Sequence, residues 1–272
     1  NNIHISYNKI AKNSSYNHEI IVHVNENKDN TIEYLKKNKI KYTFSKINLG
    51  LCSSVNIAVK KITTDLILYT HDDMYFLPGW DKCLKNELSK KDNNLYYFSG
   101  TMIQSNGAHL KLNCGDNYEN FDEKYLLDNY KNINKNFQKG THWAPHLIHK
   151  DIWNKIDGFS EEFNPGDGSD PDFCMKLWLH HVRIFKGISK FKVYHFNSVT
   201  TRKSNIKLNN GTKTFILKYK FNPKFFRKYY LRGEKIRDYR GKLSNPTFSF
   251  SMFLSLIINR FKFLYFKILD LL

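Results

Sequence analysis

The run Asp65-Leu-Ile-Leu-Tyr-Thr-His-Asp-Asp-Met-Tyr-Phe-Leu-Pro-Gly-Trp80 leaves this chain few architectures. Leu66 to Tyr69 is a short, continuous apolar segment, as expected of a strand buried on both faces, and it stops abruptly at His71, Asp72 and Asp73. Pro78 and Gly79 then break the chain so that a helix can start at Trp80. Two uses of the polar end are open from these residues alone. One is an acidic turn after a core strand. The other is a pair of carboxylates and an imidazole holding a divalent cation against an anionic ligand, at the sheet edge where open α/β folds bind their ligands.

The flanking segments repeat the strand-then-helix order. His18 to Val24 is a β-branched run, followed by a polar loop from Asn25 to Thr31 and a helix over Ile32 to Lys37. Asn25 and Asp29 suit turn formation and capping, and in an open α/β sheet the same loop faces a ligand. Tyr42 to Ile47 is a weaker strand. Asn48-Leu-Gly50 then leads to a helix from Ser53 or Ser54 to Ile62, where Gly50 permits a close backbone approach of the kind a phosphate or nucleotide requires. A helix over Trp80 to Leu88 and a strand over Leu95 to Ser99 continue the alternation, which predicts a mostly parallel sheet. Ahead of all this, Asn2 to Lys12 is predicted as a short amphipathic helix with Ile3, Tyr7 and Ile10 inward.

Residues 107–140 are rich in Asn, Asp and Lys and read as an insertion over the sheet edge with one short helix around Phe121 to Leu127. His142 and Trp143 follow, and Asp151 is placed to cap a helix containing Ile152, Trp153 and Ile156. A second acidic cluster, Asp167, Asp170 and Asp172, sits on a Pro/Gly loop before an amphipathic helix bearing Phe173, Leu177 and Trp178. One of the three can cap that helix. The cluster also has the composition of a general base near a metal, and both readings stand. Val182 to Phe185 and Phe191 to Tyr194 are expected as two strands, the second ending at His195.

A formal charge of +18 over 272 residues favours anionic partners without choosing among nucleic acid, acidic lipid and phosphorylated substrate. Cys52, Cys83, Cys114 and Cys174 are too scattered for a zinc knuckle or a disulfide framework, so a reducing cytoplasmic setting is expected, with no signal peptide at the start.

Taken in order, these motifs resemble the family-2 glycosyltransferases of the GT-A fold over about His18 to Thr201. The matching pieces are the strand and loop from Glu19 to Thr31; Asn48-Leu-Gly50 with Asn56; His71-Asp72-Asp73 with Pro78-Gly79-Trp80; Gly158-Phe-Ser-Glu-Glu-Phe163; Asp170-Pro-Asp172-Phe-Cys-Met-Lys176-Leu; and Tyr194-His195. The resemblance implies a Rossmann-like α/β domain with a mixed, mostly parallel sheet flanked by helices. It also implies transfer of a sugar from a nucleotide-sugar donor to an acceptor hydroxyl, with inversion and with Mn²⁺ or Mg²⁺ bound. By the same resemblance Asp73, His71 and His195 are the metal ligands, and Asp170 is the catalytic base with Asp172 as its substitute. Asn25, Asp29, Asn48, Gly50, Asn56 and Asp72 line the nucleotide-sugar site. His142 and Trp143 are on the acceptor side, where an indole can stack on a sugar ring. The sequence departs from the family pattern at three places: no family first strand precedes the opening helix, His71 stands where the metal motif carries Asp, and Asn27, Lys28 and Asn30 replace frequent Gly, Ser and Gly.

The division expected is a glycosyltransferase domain over 1–201 and a basic, aromatic extension over 202–272. Within the extension, Asn205 to Gly211 is a polar connector and Thr214 to Arg240 interleaves cations with aromatics. Phe248 to Leu272 is apolar but interrupted by Asn259, Arg260, Lys262, Lys267 and Asp270, so it is expected to lie on a membrane surface rather than cross it, or else to pack on protein. A peripheral position at the cytoplasmic face of a membrane, with a glycan or lipid-linked glycan as acceptor in polysaccharide biosynthesis, fits that tail. The competing classes are a metal-dependent phosphoesterase and a non-catalytic basic binding protein. The first requires a denser ligand set, and the second leaves the ordered acidic loops without a role.

Overall fold

The computed structural model describes residues 10–107, 109–134, 136–196, 209–233 and 238–271. The expected helix over Asn2 to Lys12 lies mostly outside them, with residues 10–13 helical. The connector expected from Asn205 is likewise described only from residue 209.

Strands β1 (Ile21–Asn25) and β2 (Lys41–Ser45) pair in parallel around helix α1 (Thr31–Lys37), with Val24, Leu35 and Ile40 as their own small core. Helix α2 (Gly50–Val59) leads to β3 (Leu66–Tyr69), β4 (Met74–Phe76) and α3 (Trp80–Leu88). Next come β5 (Tyr96–Gln104), β6 (Leu110–Lys111), α4 (Glu123–Asn129), β7 (Gln138–Lys139), β8 (His146–His149) and α5 (Lys150–Lys155). Helix α6 (Ser169–Leu179) precedes the long β9 (Ile184–His195). Three helical segments close the described chain: α7 (Gly211–Tyr219), α8 (Pro223–Phe225, widening to π pitch over Phe226–Leu231) and α9 (Phe250–Leu269).

The main sheet runs β3-β8-β5-β9-β4, with β6 on β5 and β7 on β9, and among the described residues it is separate from the β1-β2 pair. The α/β class and helical flanks are as expected, but the sheet is more antiparallel than the strand-helix alternation predicted. β8 runs antiparallel to both β3 and β5, and β4 and β7 run antiparallel to β9, whereas β5 pairs in parallel with β9 and β6. The added antiparallel members are short, and β4 was hidden because Met74 to Phe76 reads as the continuation of a turn.

The two strands expected over Val182 to Tyr194 are one strand, β9. Lys186, Gly187 and Lys192 make it look interrupted, yet both lysines are buried and satisfied. Lys186 Nζ reaches Glu87 at 2.6 Å, and Lys192 Nζ donates to the carbonyls of Tyr130 and Ile133 at 2.7 and 2.6 Å. A buried cation is tolerable only with such partners. Lys192 thereby fastens the 107–140 insertion to the sheet. Helix α2 starts earlier than expected, at Gly50, and α5 is capped by His149, whose Nδ1 accepts from Asp151 N at 3.2 Å, rather than by Asp151.

The aromatics from α7 to the end of α8 are largely core residues. Phe215, Phe221, Phe225, Phe226 and Leu231 join the same buried cluster as Phe173, Trp178 and Phe185. The hydrophobic core thus runs across the 201/202 boundary without a break.

Candidate active site

Strand register builds the first cluster. Met74 lies opposite His195 in the β4-β9 pair, and Ile103 lies opposite Tyr194 in the β5-β9 pair. Asp73, just before Met74, and Gln104, just after Ile103, are therefore brought to His195 from two strands. His195 Nε2 is 3.3 Å from Asp73 Oδ2, and His71 Nδ1 is 4.0 Å from Asp73 Oδ1. One ligand atom from each of the three residues lies within 4.8 Å of the others. The Asp73 and His195 side chains are 4% and 12% exposed and form the floor, while His71, at 34%, stands at the opening.

The donor set fits a divalent first-row cation: two imidazole nitrogens and a hard carboxylate oxygen. Burial lowers the His71 pKa, with Asp73 opposing the shift, so the ring is held neutral, the ligating form. The Gln104 carboxamide is 2.9 Å from His195 Nδ1. The facing atom is the Gln104 amide nitrogen, and the contact fixes the ring that presents Nε2 to Asp73. Asp72 is exposed, and its carbonyl accepts from the Tyr118 hydroxyl at 3.1 Å, which ties the insertion to this turn.

The second cluster is held by amide clamps. Asn164 Oδ1 accepts from Cys52 N at 2.9 Å while its Nδ2 donates to Ser53 Oγ at 2.7 Å, so this side chain caps the start of α2 from the acidic loop. Asn56 grips Phe159 through both backbone groups, at 2.8 and 2.9 Å. Asp167 accepts from Gly211 N at 2.9 Å and anchors α7. Asp172 is fully buried and accepts from Ser160 Oγ at 2.6 Å and Tyr219 Oη at 2.7 Å, with Lys218 Nζ at 2.9 Å. Those partners make it the tie between α6 and α7. Asp170 differs: burial raises its pKa from 3.8 to about 7.

The two clusters converge on Tyr69. Burial raises its phenol pKa, and the charges of Asp170, Asp73 and Asp72 add to the rise. Its ring lies 5.3 Å from His71 and 5.1 Å from His146. Burial pushes His146 down to about 3, and its Nδ1 is 3.1 Å from Tyr97 Oη. An aromatic floor of Tyr69, His146 and Tyr97 thus underlies the site.

The residues expected to line the nucleotide site divide in two. Asp29 and Asn48 are exposed, each taking a backbone N–H, of Thr31 at 3.0 Å and of Gly50 at 2.9 Å. Asn25, Gly50 and Asn56 serve the protein interior. Asn25 binds Ser45, Leu49 and Ser54 at 2.9, 3.1 and 3.0 Å and ties β1, β2 and α2 together. Gly50 has φ +79°, and a Cβ there would fall 2.6 Å from Asn164 Oδ1, so the close approach it permits is to the acidic loop. On the acceptor side, Trp143 Nε1 donates to Gly100 O at 2.9 Å and its ring lies 4.2 Å from His109. Burial and the Arg227 charge push His142 down to about 4.

Sequence reasoning missed Gln104, Asn164, Tyr69 and His146. Gln104 ends a long apolar strand, and Asn164 belongs to an Asn-Pro-Gly turn that reads as a loop only. The one available signal was Tyr69, the last residue of the strand that carries the acidic end.

The chain is thus a mixed α/β sheet flanked by helices that carries the His71, Asp73 and His195 cluster and a carboxyl, Asp170, with a raised pKa. Residues 1–153 match the family model for glycosyl transferase family 2, and the chain belongs to that family. Among solved structures it is similar to S. aureus TarS 1-349, with a TM-score of 0.54 and 16% identity over 71% of this chain and 56% of that one. The same protein in complex with UDP-GlcNAc matches at TM-score 0.51 and 17% identity, over 72% and 57% of the two chains. GalNAc-T7 with UDP, GalNAc and Mn²⁺ matches at TM-score 0.53 and 13% identity, over 78% and 44%. At these identities the likeness is one of fold, and the chain spans little more than half of TarS 1-349 in the first of these matches. No curated protein matches the sequence.

Proposed function

We propose that this chain transfers a sugar from a nucleotide-sugar donor to an acceptor hydroxyl with inversion at the anomeric carbon. The observation that carries the reading is the His71, Asp73 and His195 cluster, whose ligand atoms lie within 4.8 Å of one another, in a fold that also carries Asp170 with a raised pKa. His71, Asp73 and His195 would hold Mn²⁺ or Mg²⁺, and the two imidazoles favour Mn²⁺. Such a cation supplies positive charge against the diphosphate that leaves as the glycosidic bond breaks. Asp29, Asn48 and Asp72 supply the exposed polar edge for the nucleotide. Titrating near 7, Asp170 is ionised in a good fraction of molecules at neutral pH, and it takes the acceptor's proton as the new bond forms. Trp143, fixed by its bond to Gly100, offers its ring to the acceptor sugar.

The UDP and UDP-GlcNAc complexes of TarS support a UDP-sugar as the first donor to test. The acceptor is proposed to be a glycan or lipid-linked glycan in polysaccharide biosynthesis, with the enzyme held peripherally at the cytoplasmic face of a membrane. The test is a panel of UDP-, GDP- and dTDP-sugars with Mn²⁺. Release of nucleoside diphosphate from at least one donor, abolished by chelation, is expected. If no donor binds or turns over with the metal present, the reading fails.

A further inference from the structure

Helix α9 has two faces of opposite use. At about 100° per residue, Met252, Leu256, Asn259, Phe263 and Phe266 fall on one side. That side is buried or half-buried, with Asn259 Oδ1 accepting from Asn222 N at 2.8 Å to lock it onto the segment between α7 and α8. The other side spans roughly 160° of the circumference and is apolar. It carries Phe253, Ile257, Phe261, Leu264, Tyr265 and Ile268, with Phe261 68% and Tyr265 59% exposed. Among the described residues no helix is long and apolar enough to cross a membrane.

The charges on α9 are placed at the borders of that face. By the same helical spacing Arg260 and Lys267 run along one border and Lys262 along the other, while Phe250–Leu269 contains no carboxylate. Asp270, just beyond, is paired with Lys213. We propose that α9 is an in-plane anchor whose outer face enters the boundary between headgroups and acyl chains of an anionic bilayer. The aliphatic stems of the three cations extend the apolar face, and their heads reach the phosphate layer on either side. A second copy is the poorer occupant, because self-pairing would line the seam with cations from both molecules and offer no acid to face them. The chain's +18 charge acts in the same direction. This inference rests on the membrane-proximal enzyme proposed above, and lipid binding is measured apart from sugar transfer so that either can fail alone.

The experiment is co-sedimentation of the full chain with vesicles of phosphatidylcholine alone and of phosphatidylcholine mixed with phosphatidylglycerol, alongside its mass in solution by light scattering. Binding to the anionic vesicles, weakened by salt, is expected. The triple change Ile258→Ser, Phe261→Ser and Tyr265→Ser, all at exposed positions, should lower the partition at least tenfold. Arg260→Gln, Lys262→Gln and Lys267→Gln should lower it by about fivefold per cation removed. Donor turnover in solution should not change in either variant. A chain that stays in solution with anionic vesicles would overturn the assignment. So would a dimer that the serine variant splits, which would make the face an interface between copies.

Discussion

The two acidic clusters draw on the same residue type and treat it in opposite ways. In the turn after β3, Asp73 is buried between two imidazoles while Asp72 faces solvent. At the start of α6, Asp172 is buried and saturated by Ser160, Tyr219 and Lys218, while Asp170 is half-buried with its pKa raised to about 7. Burial alone does not mark a working carboxylate. A carboxylate whose oxygens are already taken holds the fold together. One that is desolvated without such donors keeps free energy available for a proton or a cation.

That contrast is sharpest at positions 170 and 172. Asp170→Asn is expected to lower turnover by about 10²–10⁴-fold while leaving thermal stability equal or higher. The stability sign follows from linkage. The folded Asp170 pKa lies above its ordinary 3.8, so the folded chain holds the extra proton between about 4 and 7 and loses stability as pH rises through that window. Asparagine removes that loss, and denaturation at several pH values would show it.

Asp172→Ala should do the reverse, costing about 3–5 kcal/mol of stability by leaving Lys218 and the hydroxyls of Ser160 and Tyr219 without their shared acceptor. Urea denaturation measures this; an intact fold with lost turnover would instead make Asp172 a working group. In the other cluster, Gln104→Leu is expected to weaken divalent-cation binding by about 10–100-fold, read by titration with Mn²⁺, with the fold retained. The smallest effect is on pH. With Asp170 as base, the rate should climb by about tenfold per unit below pH 7 and level off above it. A rate that falls over the same interval would exclude Asp170 from that role.

Much of this site is legible in the sequence because strands announce their ends. Leu66 to Tyr69 and the strand before His195 are apolar runs closed by polar residues, and these supplied His71, Asp73 and His195. What joins them is not local. Gln104 reaches His195 only through the β5-β9 register, and the Asn164 cap spans from the acidic loop back to α2. The same limit explains Asn56 and Gly50. Their residue types suit a nucleotide site, but their environment is set by Phe159 and Asn164, which lie far along the chain. The continuity of β9 was obscured by lysines whose partners, Glu87 and the Tyr130 carbonyl, belong to other elements.

The division of labour between the clusters is tested most directly by nucleoside diphosphate binding in the presence of Mn²⁺, measured by calorimetry on wild type, Asp73→Ala and Asp170→Asn together. The account predicts that Asp170→Asn binds as wild type does though its turnover falls by about 10²–10⁴-fold, and that Asp73→Ala loses the metal-dependent binding. Wild-type binding in Asp73→Ala, or its loss in Asp170→Asn, would contradict the account.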